Sequence, residues 1–225
     1  MLISVVIPTL NEEEHVARTI ASVRAQEGPF EIVVADGGST DQTCRIASQT
    51  ARVVTGSRGR AAQMNAGASA ASGDVLLFLH ADTLLPPGGL RAIREALTAP
   101  RTESGAFRLC FDTDTSLLRF YSWCTRLPLR HICFGDRGLF VRRDVFDQIG
   151  GFPDIPMFED LEIVRLLSAR GGFRFLPLSV TTSARRFSDQ GILRQQLRNT
   201  YLWTHYIIGT DPSRLTHLYR YGPSE

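Results

Sequence analysis

The sequence predicts an α/β protein with a mixed, mainly parallel sheet flanked by helices, and two observations carry this prediction. Up to about residue 95, short apolar runs alternate with segments of helical spacing, the pattern of successive β-α-β units. The run Val75–Leu79 is apolar at every position, which is typical of a parallel strand buried on both faces. Gly105–Phe111 is expected to add a mixed strand.

The predicted elements follow one another along the chain. Asn11 is the expected N-cap of the first helix, and the glutamates after it suit the helix dipole. Pro8 is expected to end the first strand. The predicted strands are Ile3–Ile7, Glu31–Ala35, Arg52–Thr55, Val75–Leu79, Gly105–Phe111, Gly138–Arg142 and Arg174–Pro177. The predicted helices are Asn11–Gln26, Thr43–Thr50, Gly59–Ala71, Leu90–Leu97, Ser116–Thr125, Arg143–Gln148, Glu159–Ala169 and Ile192–Ile208.

Composition excludes several classes of protein. The net charge is +2, too small to indicate nucleic acid, and all 25 basic residues are arginine, which rules out Schiff-base and P-loop lysine chemistry. The cysteines have no zinc-site spacing, so reduced thiols are expected. The N-terminus is typical of a strand rather than a signal peptide, and no run is long enough to span a bilayer. We therefore expect a cytoplasmic protein.

We predict one domain over residues 1–190, with halves 1–95 and 96–190. A C-terminal helix and tail, 191–225, are expected to pack on it. The dinucleotide fingerprint G-x-G-x-x-G is absent after the first strand.

Polar side chains follow the buried strand Val75–Leu79 directly. His80 and Asp82 are two residues apart and face the same side, as expected of a half-site for a divalent cation that carries a phosphorylated ligand. The alternative is that Asp82 only caps the turn before Pro86.

Other polar residues are predicted at the same sheet edge, because the carboxyl ends of parallel strands lie together. Acids there can accept hydrogen bonds from a base or a ribose, and arginine can neutralise a diphosphate. The residues are Thr9, Asn11, Glu12, Asp36, Arg60 and Asn65.

Three segments together resemble successive motifs of family 2 glycosyltransferases, which have the GT-A fold. They are Val5–Glu12, Val33–Asp41 and Phe78–Asp82, and the similarity extends over about residues 1–165. The resemblance implies that Asp36 contacts a uracil-type base, that Glu12 lies near base and ribose, and that Asp82 holds the metal on the donor diphosphate. The implied donor-binding residues are Pro8, Thr9, Asn11, Glu12, Asp36, Gly37, Arg60, Asn65, His80, Ala81, Asp82 and Arg186.

The chain departs from the family's DXD motif, because His80 stands where the first acid is expected. His80 can be a second metal ligand, a donor to phosphate or a structural residue. The implied cofactor is a divalent cation, either Mg²⁺, which prefers oxygen ligands, or Mn²⁺, which tolerates imidazole better.

The second half resembles the acceptor side of the same family. Gly135, Asp136, Arg137 and Gly138 match a segment that lines the acceptor pocket. Gly150–Asp154 and Phe158–Glu162 resemble the "GGF…ED" motif, which implies Asp160 as general base with Glu159 beside it. The alternative is that the two acids only supply charge to the first turn of a helix.

Two C-terminal features leave alternatives open. Arg185, Arg186 and Phe187 either close over the donor diphosphate or form a solvated basic surface. The 192–208 helix is expected to serve core packing, a homodimer interface or a peripheral membrane contact at the inner face of the membrane, since some family members act on lipid-linked acceptors.

The resemblance implies inverting, metal-dependent transfer of a sugar from a nucleoside diphosphate sugar to an unknown hydroxyl acceptor. UDP-sugars are favoured because Asp36 suits a pyrimidine by analogy. The chain is also similar to small bacterial members, some linked to arsenosugar biosynthesis. The alternatives are a nucleotide-sugar binding protein without transfer and a nucleotidyltransferase, although the latter typically has a Gly-rich basic loop after its first strand.

Overall fold

The structure, a computed structural model, describes residues 1–127, 137–185, 192–212 and 215. Within these residues, eight strands form one sheet. The strands are β1 (Ile3–Thr9), β2 (Phe30–Asp36), β3 (Arg52–Thr55), β4 (Val75–Phe78), β5 (Thr83–Leu84), β6 (Ser104–Phe111), β7 (Leu139–Arg142) and β8 (Phe173–Thr182). The helices are α1 (Val16–Arg24), α2 (Thr43–Ala47), α3 (Arg60–Ala70), α4 (Gly89–Thr98), α5 (Ser116–Cys124), α6 (Arg143–Gln148), α7 (Glu159–Ala169) and α8 (Ile192–Ile207).

The sheet is mixed and largely parallel, as predicted. Its order is β3-β2-β1-β4-β7-β6-β8-β5, and the first four strands run parallel. β7 is antiparallel to β4 and β6, whereas β6 and β8 are parallel. Since β2 and β4 both pair with β1, the carboxyl ends of these three strands lie at one edge of the sheet.

Helices cover both faces of the sheet and explain its uninterrupted apolar runs. Ile3, Val5 and Ile7 of β1 belong to one core cluster with side chains of α1 and α4. Val6, on the other face, belongs to a second cluster with side chains of α3, α6 and α7. A strand packed on both sides needs apolar residues at every position.

Several predicted boundaries were wrong, mainly because contacts with distant segments decide where an element begins or ends. Helix α1 begins at Val16 rather than Asn11, because Asn11 adopts a left-handed backbone with φ of 53° and its side chain is used by another loop. β1 continues through Pro8 to Thr9. β8 extends well beyond Pro177 because it pairs with the whole length of β6 across a register shift.

Hydrogen bonds join the loop after β1 to the loop after β2. The backbone N–H of Asn11 donates to Ser39 Oγ at 2.9 Å, and Thr40 N–H donates to Asn11 Oδ1 at 2.9 Å. Glu12 N–H donates to Thr43 Oγ1 at 2.8 Å. The two loops are therefore held as one unit, which explains why Asn11 does not cap a helix.

Asp36 organises the loop after β2 from inside. Its side chain is buried and accepts hydrogen bonds from Thr9 Oγ1, from the Gly38 and Ser39 amides and from Ser39 Oγ. Burial alone would raise the pKa of this carboxyl, but the hydrogen bonds from Ser39, Gly38 and Cys44 lower it below its usual value. The charged form of Asp36 therefore stabilises the folded chain.

Replacing Asp36 with Asn tests this arrangement. The amide turns one acceptor oxygen into a donor, so we expect the free energy of unfolding at pH 7 to fall by about 1 to 3 kcal/mol. Because the folded pKa is depressed, the stabilisation is complete above the unfolded pKa of about 4 and is lost as pH falls through the lower folded value. The measurement is urea unfolding at pH 7, 5, 4 and 3.

Asp147→Asn, at an exposed position of α6, is the control and should change stability by less than about 0.5 kcal/mol. A difference between wild type and Asp36→Asn that stays constant from pH 7 to pH 3 would contradict the account.

Candidate active site

Five segments that are far apart in sequence meet at the carboxyl edge of the sheet. They are the loops after β1, β2 and β4, the first turn of α3 and the residues just after β8. The first turn of α7 joins them through an ion pair to α3. This edge contains most of the residues that the sequence analysis singled out.

Arg185, after β8, connects two of the predicted donor-site acids. Its Nη2 lies 2.5 Å from Glu12 Oε1 and 3.5 Å from Asp82 Oδ2. Burial would lower the pKa of this guanidinium, but the hydrogen bond that it donates to Glu12 and the charges of Glu12, Asp82 and Glu14 raise it. The arginine is therefore a cation held between two carboxylates. This contact favours a role for Arg185 at the donor site over a solvated basic surface.

Glu12 retains one oxygen that the described residues do not use. Its Oε2 is buried and accepts no hydrogen bond from any residue that the structure describes. A buried carboxylate oxygen of this kind is costly unless a donor reaches it. A sugar or ribose hydroxyl is a donor of the right kind.

The segment that contains His80 and Asp82 is anchored on both sides. The buried hydroxyl of Thr19, on α1, donates to the Ala81 carbonyl at 2.6 Å. The Ser183 amide donates to the Asp82 carbonyl at 3.2 Å. Ala81 is buried, while His80 and Asp82 are half-buried, so the two polar side chains remain at the edge of the sheet.

The segment His80–Asp82 can hold a divalent cation only together with a ligand that supplies further coordinating atoms. The described residues contain no group of three or more His, Cys, Asp or Glu side chains that could hold a metal ion. Asp82 supplies a carboxylate and His80 an imidazole. Mg²⁺ commonly binds through one or two carboxylates together with substrate phosphates, and the residues present fit that mode.

Arg60 links the donor side of the chain to the predicted base. Its Nη1 lies 3.2 Å from Glu159 Oε1 and 3.3 Å from Asp160 Oδ2. Both carboxylates are buried, with 4% and 6% of each residue exposed. Buried carboxylates need a cation or donors close by, and here a residue 100 positions earlier in the chain provides one. First-turn charge alone does not explain this contact.

Asn65 serves a different purpose from the one expected. Its side-chain amide exchanges two hydrogen bonds with the backbone of Phe152, at 2.8 and 2.9 Å. A Cβ on Gly151 would lie 2.7 Å from Asn65 Oδ1, so this turn needs glycine. Asn65 thus joins α3 to the Gly150–Phe152 turn, which precedes the predicted base Asp160 in the chain.

Sequence analysis missed Gln63. The side chain is buried, and its Nε2 donates to the Thr9 carbonyl. A Cβ on Gly37 would lie 2.5 Å from that Nε2, so the glutamine also explains why position 37 is glycine. The sequence did contain a signal for Gln63, because it is a polar residue between Ala61 and Met64 on the sheet-facing side of α3.

Arg137 is structural in this chain. The residue is 2% exposed, and its guanidinium donates to the carbonyls of Phe107 and Thr125 and lies over the ring of Phe175. We had expected it to line an acceptor pocket. The next residue in the chain, Gly138, has a left-handed backbone with φ of 65°. Gly135, Asp136 and Arg186 lie outside the described residues.

Two cavities lie apart from this edge. One, of about 460 Å³, is lined by residues of α1, β2 and the α2–β3 connection. The other, of about 340 Å³, lies between the end of β6 and α5. Neither is lined by a predicted site residue.

Comparisons with known proteins identify the family of this chain and its fold. The family description "Glycosyl transferase family 2" matches residues 4–152. An undecaprenyl-phosphate 4-deoxy-4-formamido-L-arabinose transferase of Pectobacterium carotovorum is 34% identical over 98 residues, which cover 38% of this chain and 30% of that protein. In three curated relatives, the matched segments span between 30% and 56% of their length.

Solved structures show the same fold. TarS of S. aureus (residues 1–349) in complex with UDP has a TM-score of 0.67 and 17% identity, covering 82% of this chain and 61% of that chain. Mannosyltransferase PcManGT from Pyrobaculum calidifontis, in complex with GDP-Man and Mn²⁺, has a TM-score of 0.66 and 17% identity, covering 96% and 67%. The fold is therefore that of GT-A glycosyltransferases, and the chain belongs to glycosyl transferase family 2.

Proposed function

We propose that this chain transfers a sugar from a nucleoside diphosphate sugar to a hydroxyl acceptor, with inversion at the anomeric carbon. The observation that carries the proposal is the contact of Arg60 with Glu159 and Asp160. Arg60 begins α3 at the edge that holds Glu12, Asp82 and Arg185, and its contact with the two acids supports the choice of Asp160 as base. One site then has both a cationic place for a diphosphate and a carboxylate for an acceptor.

The donor diphosphate is assigned to the Asp82 side of the site. Asp82, with His80 beside it, would hold a divalent cation, which supplies positive charge to the departing diphosphate. Arg60 and Arg185 add guanidinium groups that can bind phosphate oxygens with two parallel hydrogen bonds. Glu12 Oε2 can accept a hydrogen bond from a hydroxyl of the donor.

The proposed base is Asp160. Its carboxylate takes the proton of the acceptor hydroxyl, while the acceptor oxygen forms a bond to the anomeric carbon from the face opposite the diphosphate. The bond from that carbon to the diphosphate oxygen breaks, and the nucleoside diphosphate leaves with the electron pair. Binding of the diphosphate by Arg60 would release Asp160 from its ion pair and make it available as a base.

The identity of the nucleotide rests on analogy. The TarS complex contains UDP, and the PcManGT complex contains GDP-Man with Mn²⁺. Asp36, the residue expected to read a pyrimidine, already accepts four hydrogen bonds from its own chain. UDP remains our first choice and GDP the alternative.

Several finer expectations remain predictions. These are a lipid-linked acceptor, a homodimer, a peripheral membrane contact through α8, a cytoplasmic location, the link to arsenosugars and the domain division at residue 190. Among the described residues, no helix is both long and apolar enough to cross a bilayer. The name of the Pectobacterium relative, which contains undecaprenyl phosphate, favours a lipid-linked acceptor.

The two alternative functions differ from transfer at specific residues. A binding protein without transfer would not need Asp160 in contact with Arg60. A nucleotidyltransferase typically has a Gly-rich basic loop after its first strand, and here that loop contains Glu12, Glu13 and Glu14 instead.

Asp82→Asn tests the donor site. We expect calorimetric titration to show UDP binding in Mn²⁺ or Mg²⁺ that weakens in EDTA, and Asp82→Asn to reduce the affinity in metal by roughly tenfold or more, since a charge-assisted interaction is worth about 1.5 to 3 kcal/mol. GDP is titrated in parallel. Asp147→Asn is the matched control and should bind as wild type does. Equal affinity for Asp82→Asn and wild type would reject the assignment of Asp82.

Asp160→Asn tests the base. With UDP-glucose, UDP-GlcNAc and GDP-mannose as donors, we expect the release of nucleoside diphosphate to slow by about 100-fold or more, because a positioned base contributes about 10²- to 10⁴-fold. Binding of the nucleotide should survive, which separates loss of chemistry from loss of the site. Full turnover in Asp160→Asn would rule out Asp160 as the base.

A further inference from the structure

Tyr206, on the C-terminal helix α8, contacts both ends of the first turn of α7. Its hydroxyl donates to Glu162 Oε2 at 2.9 Å. Its ring lies 4.7 Å from the ring of Phe158, centre to centre, at 31°. Glu159 and Asp160, the two predicted catalytic residues, lie between these contact points.

The turn that Tyr206 contacts is under local strain. Phe158, which precedes α7, has φ of 66° and ψ of 17°, a left-handed conformation that is unfavourable for a non-glycine residue. Its carbonyl nonetheless accepts the first hydrogen bond of the helix, from Glu162 N–H at 3.0 Å. Such a conformation persists only where surrounding contacts support it.

A small apolar cluster supplies part of that support. Met157, Leu202 and Leu215 are buried together, and Phe158 packs against them. This cluster is separate from the two clusters that cover the faces of the sheet. The buried apolar contact of α8 with Met157 and Phe158 therefore falls on the segment that leads into the predicted base.

The polar part of the contact is stable over a wide pH range. Burial, and then the hydrogen bond to Glu162, raise the pKa of Tyr206 to about 12. The hydrogen bond from Arg165 is the main cause that lowers the pKa of Glu162, and Tyr206 adds to it. Near neutral pH the tyrosine is thus a donor and the glutamate an acceptor.

We propose that Tyr206 is a positioning residue, which holds the first turn of α7 so that Asp160 is correctly placed for proton transfer. The assignment of Asp160 as base rests on the proposed function; the mechanical role of Tyr206 does not. The C-terminal helix is then part of the catalytic apparatus, although Tyr206 itself does not touch substrate.

Three variants separate the parts of this contact. Tyr206→Leu removes both the ring stacking and the hydroxyl, and Tyr206→Phe removes the hydroxyl alone. Tyr201→Leu is the matched control, because Tyr201 is on the same helix and 51% exposed. Each is assayed in the full chain for UDP affinity, for kcat and KM with the donor that wild type turns over, and for amide hydrogen exchange.

We expect Tyr206→Leu to lower kcat by about 10- to 100-fold, because small misplacement of a reacting group costs that much, while KM and UDP affinity stay within about twofold of wild type. Tyr206→Phe keeps the ring and should retain most of kcat. The Glu162 amide should exchange faster in Tyr206→Leu, with the sheet unchanged. Tyr201→Leu should match wild type in all three measurements.

Two results would overturn the proposal. One is an unchanged kcat in Tyr206→Leu, and the other is a loss of kcat and UDP affinity together with faster exchange throughout the chain, which indicates general destabilisation. If wild type turns over no donor, the proposed function fails and exchange at Glu162 alone decides the role of Tyr206. If Tyr206→Leu does not fold, amide exchange in Tyr206→Phe decides it. Loss of the hydroxyl bond to Glu162 should speed exchange of the Glu162 amide, and an unchanged rate there would reject the role.

Discussion

The candidate site depends on the ion pair between Arg60 and the two buried carboxylates Glu159 and Asp160. Without a cation, two adjacent buried acids are unfavourable, and one of them would have to bind a proton or move to solvent. With the arginine in place, the acidic turn of α7 can stay buried against the donor half of the chain. In the proposed function, the same arginine exchanges these carboxylates for a phosphate of the donor. The contact therefore joins the two halves both structurally and chemically.

Other acids at this edge of the sheet also lie beside a cation or beside hydrogen-bond donors. Arg185 lies between Glu12 and Asp82, and the Asp36 carboxylate lies among four donors. In each case a buried or half-buried acid lies in direct contact with a cation or with hydrogen-bond donors. Such a site has negative and positive groups in place before any ligand arrives. In the proposed function, one of them, Arg60, then changes its partner from carboxylate to phosphate.

Local sequence patterns were sufficient to predict the fold class and most elements. The apolar run Val75–Leu79 predicted a strand buried on both faces, and β4 is such a strand, between β1 and β7 in the sheet. Patterns failed where long-range contacts decide the local structure. Asn11 is a good N-cap residue by type, yet hydrogen bonds with Ser39 and Thr40 draw it into another loop. The short strand β5 exists only because β8 lies beside it.

For the site, the sequence indicated which residues gather at the edge but not what they contact. The types of Arg60, Asp82 and Asp160 were informative, because cations and carboxylates at strand and helix ends are typical of phosphate and proton chemistry. The pairing of Arg60 with α7 spans 100 positions and has no local signal. Tyr206 was missed for the same reason. Gln63 stood out locally as a polar residue on an apolar helix face, but its partner on β1 did not. Asn65 and Arg137 have partners in the backbone, which a sequence does not display.

The most direct test of the account is a crystal structure of the chain with UDP and Mn²⁺. The account predicts that the diphosphate lies at the carboxyl edge of β1, β2 and β4, that Mn²⁺ bridges it to Asp82, and that Arg60 has turned from Asp160 towards phosphate. A nucleotide bound elsewhere, for example in the cavity beside α1 and β3, with Arg60 still paired to Asp160, would contradict it.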